Sequence, residues 1–159
     1  MSDELAVQQV LSRYVRAHDQ RDGDAMAALF TPQARVKIVY NNPPDGEPEV
    51  LGELVGREAI AQATAHMMKP HPAHGWSHNA TDVLLVEIDG DRATVDAQFM
   101  VFSVLGDAKP ASGWPAGAAG AQGTITPIES GYYTQNLVRV EGQWLIESLQ
   151  VRHNLPFAF

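Results

Sequence analysis

The chain has 159 residues, of which 45% are apolar, and a formal net charge of −8 at pH 7. A chain of this length can bury about two-thirds of its unfolded surface in one core, so we expect a single domain over residues 1–159. The negative charge and the lack of a basic patch argue against nucleic acid as a partner, because phosphates are bound by clustered lysine and arginine. The chain contains no cysteine, which excludes disulfides, a thiol nucleophile and cysteine-ligated metal.

The beginning of the chain carries no targeting signal. Residues 1–4 lack the basic start and apolar run of a signal peptide. No stretch approaches the ~18 consecutive apolar residues of a membrane span. We therefore expect a soluble, cytoplasmic protein that does not bind membranes.

Helical periodicity dominates the first part of the chain. Apolar residues recur at helical spacing over residues 3–20, and Ser2 or Asp3 can cap this helix. Asp22 can cap a shorter second helix, which the Thr31-Pro32 pair is expected to end.

A strand, a loop and a third helix are predicted next. Residues 34–40 favour a strand, and residues 41–49, which contain three prolines and a glycine, favour a loop. Residues 57–68 predict a third helix, which Pro70 and Pro72 end.

The second half of the chain changes to alternating, strand-like periodicity. Two short turn sequences, residues 89–91 and 141–143, predict tight antiparallel hairpins. Helices followed by strands indicate an α+β fold. The predicted strands cover residues 77–88, 92–105, 124–140 and 144–154.

The segment 106–123 is longer than a compact connection requires. It is dominated by alanine, glycine and proline and contains a single aromatic residue, Trp114. Such a composition is typical either of a mobile lid over a site or of a disordered insertion.

Two residues near the end of the first helix are candidates for a site. Tyr14 and Asp19 are separated by about 140° around the helix axis, so they can flank one pocket mouth. Tyr14 lies on the apolar stripe, so a core tyrosine with a satisfied hydroxyl is its ordinary interpretation. Asp19 lies at the unfavourable end of the helix dipole, although a solvated surface charge is its ordinary interpretation.

Two histidines are predicted on strands. By alternation, His78 shares a face with four apolar residues, Ala80, Leu84, Val86 and Ile88, and with Asp82, which places the imidazole at the rim of an apolar surface. His153 shares a face with Leu149 and Val151. A hydrogen-bonded structural residue is the ordinary interpretation of His78, and a buried neutral imidazole is that of His153.

No metal or cofactor is expected. His66, His71 and His74 are close in sequence, but they lack the helical spacing of a zinc site and a nearby carboxylate ligand. No glycine-rich phosphate-binding or dinucleotide-binding pattern and no nucleophile elbow occurs. Proton transfer is the chemistry that remains.

The order of several short motifs resembles a known family. They are Arg13 to Asp22, Leu29-Phe30-Thr31-Pro32, Gly56-Arg57-Glu58-Ala59-Ile60, Asp89-Gly90-Asp91-Arg92-Ala93, Gly131-Tyr132-Tyr133 and Gly142-Gln143-Trp144. Together they resemble the SnoaL-like branch of the nuclear transport factor 2-like superfamily, over nearly the whole chain. This resemblance implies three helices packed on a strongly curved antiparallel sheet, a cone with an apolar interior, and assembly as a homodimer or homotrimer.

The resemblance also implies a reaction. Dehydratase-like members use a tyrosine, an aspartate about five residues later and a histidine at the start of the strand after the third helix. Tyr14, Asp19 and His78 match these positions. The implied function is that of a small-molecule lyase of the dehydratase type, in which an Asp–His dyad removes a proton without a cofactor. The alternatives are an isomerase or polyketide-type cyclase, and a non-catalytic ligand carrier or structural subunit.

The expected substrate is a small apolar or polycyclic molecule with hydroxyl or carbonyl groups. The residues predicted to contact it are His153, Asp82, Phe99, Tyr132 and Trp114. One departure from the family is that relatives commonly have an asparagine four residues after the histidine, where this chain has Asp82, and Asn79 lies beside the histidine instead. The apolar segment 154–159 is expected to close the pocket or to pack at a subunit interface.

Overall fold

The computed structural model describes residues 1–158, so Phe159, the last residue of the apolar segment 154–159, lies outside the described residues. Within this range no helix is long and apolar enough to cross a membrane. The helices are α1 (Asp3–Gln20), α2 (Gly23–Ala27) and α3 (Arg57–Gln62), and α3 continues into one turn of π-helix, Ala63–Met67.

The strands of the described chain form one six-stranded sheet in the order β2-β1-β6-β5-β4-β3. All neighbours are antiparallel except β1 and β6, which are parallel. The predicted α+β fold, a curved sheet packed against three helices, is confirmed, but the sheet is mixed rather than purely antiparallel. The strands are β1 (Phe30–Tyr40), β2 (Glu49–Val55), β3 (Gly75–Asp89), β4 (Arg92–Gly106), β5 (Gly123–Val140) and β6 (Gln143–His153).

The first half of the chain differs from the sequence prediction in three places. Thr31 and Pro32 do not end a helix, because α2 ends at Ala27 and these residues already belong to β1. Strand β2 was not predicted, since most of it is exposed and lacks a clear apolar alternation. The third helix begins at Arg57 as predicted but changes to π-helix after Gln62.

The ends of α1 are fixed by hydrogen bonds. At the start, the Ser2 hydroxyl accepts a bond from the Leu5 N–H at 3.3 Å, as the sequence predicted. At the end, Arg21 has a left-handed backbone conformation with φ 58°, and its guanidinium donates to the carbonyls of Lys69 and His18 at 3.2 and 2.8 Å. These bonds hold the last turn of α1 against the segment that leads into β3.

A β-bulge in β3 changes which side chains face the helices. The register of β3 against β4 shifts between Asp82 and Leu85. An extra residue in a strand reverses the alternation beyond it. Before the bulge Asn79 is buried and His78 is exposed, whereas beyond it Val86 packs against the core.

The connection between β4 and β5 is the segment predicted to be a lid or a disordered insertion. Gly106 pairs with Gly123 at its base, and the Asp107 N–H donates to the Gln122 carbonyl at 3.1 Å. Trp114 is 40% exposed within this loop. Whether the loop moves over a site stays a prediction.

Gly131 lies at a crowded position on the inner face of the sheet. A Cβ at this position would lie 2.7 Å from the Phe99 ring and still closer to the Arg152 carbonyl oxygen. We expect Gly131→Ala to lower the free energy of unfolding by about 2 kcal/mol, because overpacking displaces backbone and ring. Chemical denaturation measures the change.

The matched control is Gly52→Ala in β2, where an added Cβ meets nothing within 4 Å. Its free energy of unfolding should change by less than about 0.5 kcal/mol. Equal effects of the two substitutions would contradict the packing described around Gly131.

Candidate active site

The carboxylate of Asp19 lies at the end of α1 against β3, which is one of the two edge strands of the sheet. Both of its oxygens accept a hydrogen bond from the Asn79 backbone N–H at 3.1 Å. One oxygen also accepts the Asn79 side-chain N–H at 2.6 Å. The residue is only 7% exposed, so Asp19 is a buried carboxylate tied to the main chain of the sheet rather than a solvated surface charge.

The Asn79 side chain connects this carboxylate to the interior. Its Oδ1 accepts a hydrogen bond from the Tyr133 hydroxyl at 2.7 Å, and its Nδ2 also lies 3.0 Å from Nδ1 of His18. Two donors and one acceptor of the amide are therefore in use, which fixes its orientation.

The surroundings stabilise the charged form of Asp19. Burial by itself would raise the pKa of this carboxyl group, but the neighbouring His18 imidazole and the hydrogen bonds from the side chain and backbone of Asn79 outweigh burial. The net effect is a pKa below the ordinary value of 3.8.

Two buried tyrosines lie behind the carboxylate. The Tyr14 and Tyr133 rings pack edge to face with centroids 5.3 Å apart. Burial raises the pKa of both hydroxyl groups, and nearby Tyr14, Glu129 and Asp19 raise that of Tyr133 further. Both side chains are therefore protonated donors at neutral pH.

Two imidazoles flank the Asp19 carboxylate at equal distance. Nδ1 of His78 lies 3.8 Å from one oxygen, and Nδ1 of His18 lies 3.8 Å from the other. The His78 side chain is 63% exposed, compared with 28% for His18. A third imidazole, His71, lies 2.7 Å from the Asp19 backbone carbonyl and stacks on Trp76.

The position of His78 differs from the sequence prediction in two respects. Asp19 and His78 do come together, but at a distance longer than a hydrogen bond and outside the apolar interior. The inward residue at the start of β3 is Asn79, because the bulge after Asp82 separates His78 from the buried face that Val86 joins.

The residues predicted to contact substrate are dispersed. Phe99 and His153 are buried on the inner face, 4% and 8% exposed, with ring centroids 5.7 Å apart. Asp82 is exposed on the outer face beside His78, and Trp114 lies in the loop between β4 and β5.

Tyr132 does not lie with Phe99 and His153. It is only partly buried on the outer face of β5, where the Arg152 guanidinium lies 5.1 Å from its ring. Alternation instead turns the next residue, Tyr133, inward, and its ring stacks on Phe99 at 4.3 Å. The signal was present in the sequence, since Tyr133 has the same parity as the apolar Leu137.

Two depressions at the protein surface lie away from the candidate catalytic residues. One of about 650 Å³ runs along α1 beside Arg13 and Arg16, and another of about 300 Å³ lies between α2 and the third helix. Neither is lined by Tyr14, Asp19 or His78. Among residues 1–158, no three His, Asp or Glu side chains converge as metal ligands.

Replacing Asp19 by asparagine tests the buried charge. Because the folded-state pKa lies below 3.8, the charged form adds stability above that pH, and this contribution is lost as pH falls through the folded-state pKa. Asp19→Asn should lower the free energy of unfolding by about 2 kcal/mol at pH 7. The difference from the unsubstituted protein should narrow below pH 3.8 in denaturation at stepped pH.

Asp107→Asn is the control, because Asp107 is exposed in the loop between β4 and β5. This substitution should change the free energy of unfolding little, both at pH 7 and below pH 3.8. If Asp19→Asn lowers the free energy of unfolding by the same amount at every pH, the charge of Asp19 does not stabilise the fold as described.

Solved structures show the same fold. A nuclear transport factor 2-like protein with a cystatin-like fold from Novosphingobium aromaticivorans is 18% identical, with a TM-score of 0.66 over 98% of this chain and 84% of that one. The β subunit of a putative aromatic-ring-hydroxylating dioxygenase from the same organism is 14% identical, with a TM-score of 0.68 over 96% and 89%. ActVI-ORFA from Streptomyces coelicolor is 18% identical, with a TM-score of 0.67 over 95% and 96%.

Sequence comparison identifies the family. No curated protein matches the chain significantly. The family model of the SnoaL-like domain matches residues 1–150, which include every strand except the last three residues of β6. With the curved sheet, the three helices and the conserved fold of the solved relatives, this match shows that the chain belongs to the SnoaL-like domain family.

Proposed function

We propose that the protein is a small-molecule enzyme in which His78 removes a proton from an activated carbon and Asp19 orients and stabilises the imidazole. The observation that supports this most directly is the 3.8 Å approach of His78 Nδ1 to a carboxylate that is held charged and immobile by Asn79. A fixed anion on one ring nitrogen favours the tautomer with its lone pair on the other.

The exposure of His78 suits a base that meets substrate at the rim of the sheet. The carboxylate cannot move, because three N–H···O contacts from Asn79 fix it, whereas the imidazole is 63% exposed. A small rotation of the ring would shorten the contact to a hydrogen bond when substrate binds. Catalytic hydrogen bonds are commonly long in ligand-free structures and tighten in the complex.

The proposed reaction is an elimination. His78 Nε2 takes the proton α to a carbonyl, which gives an enolate and an imidazolium paired with Asp19. The enolate then expels a β-hydroxyl group, and the imidazolium returns its proton to that leaving group as water. An isomerase or a cyclase would share the first proton transfer, so the substrate class is a small apolar or polycyclic molecule with carbonyl and hydroxyl groups.

The tyrosines have a supporting role in this proposal. Tyr133 holds Asn79, and Tyr14 packs against the Tyr133 ring from α1. The resemblance implies that Tyr14 is a catalytic residue. Its burial at 6% exposure favours a positioning role through Tyr133 instead.

A non-catalytic subunit of a homo-oligomer or of a larger complex is the alternative. The observation that favours it is a set of exposed apolar side chains on β4 and β5, namely Met100, Ile125 and Ile128. Apolar side chains exposed together are typical of subunit interfaces. This alternative does not require a charged Asp19 beside an imidazole.

Hydrogen–deuterium exchange tests the first proton transfer without knowledge of the natural substrate. 1-Tetralone in D2O, followed by NMR, reports removal of the proton α to its carbonyl. We expect the protein to accelerate exchange, and His78→Ala to lower the acceleration by about 100-fold, the usual contribution of a positioned base. Asp19→Asn should lower it less and should shift the pH profile, because Asp19 acts through the imidazole.

His66→Ala is the matched control, since His66 is an exposed imidazole on the π-helix. Its exchange rate should equal that of the unsubstituted protein. Full exchange activity in His78→Ala, or a loss confined to His18→Ala, would contradict the assignment of His78 as the base.

A further inference from the structure

A groove along α1 is separate from the candidate active site. It has a volume of about 650 Å³ and is lined by α1, by α2 and by the turn that joins β5 to β6. Its lining on α1 extends from Ala6 to Gln20, which is about 21 Å along the helix axis at 1.5 Å per residue. The volume lies within the range of small-molecule sites, and the length suits an extended chain better than a compact ring system.

Two arginines of α1 line this groove. Arg13 and Arg16 are three residues apart on the helix, so their side chains are neighbours on one face and can reach the same anion. The chain has 19 aspartates and glutamates, yet no acidic side chain among residues 1–158 lines the groove. The groove is therefore a local positive site on a protein with a net charge of −8.

These two arginines differ from the other arginines of the chain in having no partner. Neither guanidinium has a hydrogen bond or an ion pair with any residue of the described chain, and both side chains are exposed. Their planar forks of N–H donors match the geometry of a carboxylate. A carboxylate or a backbone carbonyl is the partner of Arg21, Arg35, Arg57, Arg92, Arg139 and Arg152.

Apolar side chains contribute most of the remaining lining. Val10 comes from α1, Leu29 from the segment after α2 and Leu145 from β6. The Ile146 N–H donates to the Leu29 carbonyl at 2.8 Å, which attaches the segment after α2 to β6. Two walls of the groove are thereby fixed relative to each other, so binding requires little ordering of the protein.

We propose that the groove binds a single amphiphilic molecule with a carboxylate head group and an extended apolar chain, of the fatty-acid class. The carboxylate accepts hydrogen bonds from Arg13 and Arg16, and the chain lies against Val10, Leu29 and Leu145. Both parts of the ligand are needed, because an exposed arginine–carboxylate pair contributes little by itself and an open groove buries only part of an apolar chain. The site does not depend on His78, which does not line the groove.

Binding of decanoate, compared with decan-1-ol, tests the site. The two probes have chains of equal length, but only the first carries a carboxylate, and calorimetry below the critical micelle concentration measures both affinities. The unsubstituted protein should bind decanoate about tenfold more tightly than the alcohol. Arg13→Gln and Arg16→Gln together should remove this preference, a loss of about tenfold that one charge-assisted hydrogen bond accounts for.

Arg35→Gln and Arg92→Gln together are the matched control, because they remove two charges of the same kind outside the groove. This variant should bind decanoate as the unsubstituted protein does. Ala28→Phe tests the apolar part of the site. Ala28 is exposed and lines the groove, so the larger side chain should fill it without disturbing the core and should weaken binding of both probes.

A titration of the unsubstituted protein gives a result that does not depend on the folding of any variant. The Nε–H signals of Arg13 and Arg16 in ¹H–¹⁵N spectra should move on addition of decanoate, whereas that of Arg35 should not. Circular dichroism identifies a variant that fails to fold, and for such a variant this titration decides.

Three outcomes would overturn the proposal. Equal affinity for decanoate and decan-1-ol, or Arg13 and Arg16 signals that stay fixed at saturating decanoate, would show that the arginines do not bind the head group. Binding of both probes that is unchanged in Ala28→Phe would place the chain elsewhere in the protein. Sedimentation of the protein with phosphatidylglycerol vesicles, without binding of free decanoate, would identify the arginine face as a membrane-binding surface instead.

Discussion

The carboxylate of Asp19 takes the place of a neighbouring strand at the edge of the sheet. Strand β3 has a partner on one side only, and the Asn79 backbone N–H on its open side would otherwise be a buried donor without an acceptor. Asp19 accepts that bond and so attaches the end of α1 to β3. The side chain of Asn79, the two histidines beside Asp19 and the Tyr133 hydroxyl are all positioned by this one attachment.

The same attachment explains how a charge is tolerated next to the core. Asp19 is buried, but its hydrogen bonds outweigh the cost of removing it from water, and its pKa is lowered rather than raised. A carboxylate that stays charged can stabilise an imidazolium. It is itself a weak base, so the exposed His78 is the better candidate for proton removal.

A row of aromatic rings joins the two polar clusters across the interior. From α1 inward it consists of Tyr14, Tyr133, Phe99, His153 and Phe157, with each ring centroid within 6 Å of the next. Tyr133 bonds to Asn79 at one end, and His153 pairs with Glu129 at the other. The inner face of β5 therefore carries the polar side chains of Tyr133, Glu129 and the fully buried Gln135 where a purely structural sheet would carry apolar side chains.

The sequence by itself determined the parts of this protein that depend on local chemistry. The caps of α1 and α2, the alternation within β4 to β6 and the turns at residues 89–91 and 141–143 are set by neighbouring residues, and the structure confirms them. The resemblance of the motifs also predicted that Asp19 and His78 lie close together, and Nδ1 of His78 lies 3.8 Å from an Asp19 carboxylate oxygen. Tertiary structure alone decided the face on which each side chain lies. The bulge after Asp82 places Asn79 rather than His78 on the buried face that Val86 joins. The parallel pairing of β1 with β6 joins residues distant in the chain. The register of β5 on β6 brings Glu129 close to His153. Alternation is a local property, but bulges and register are set by the partner strand, which no single segment of sequence encodes.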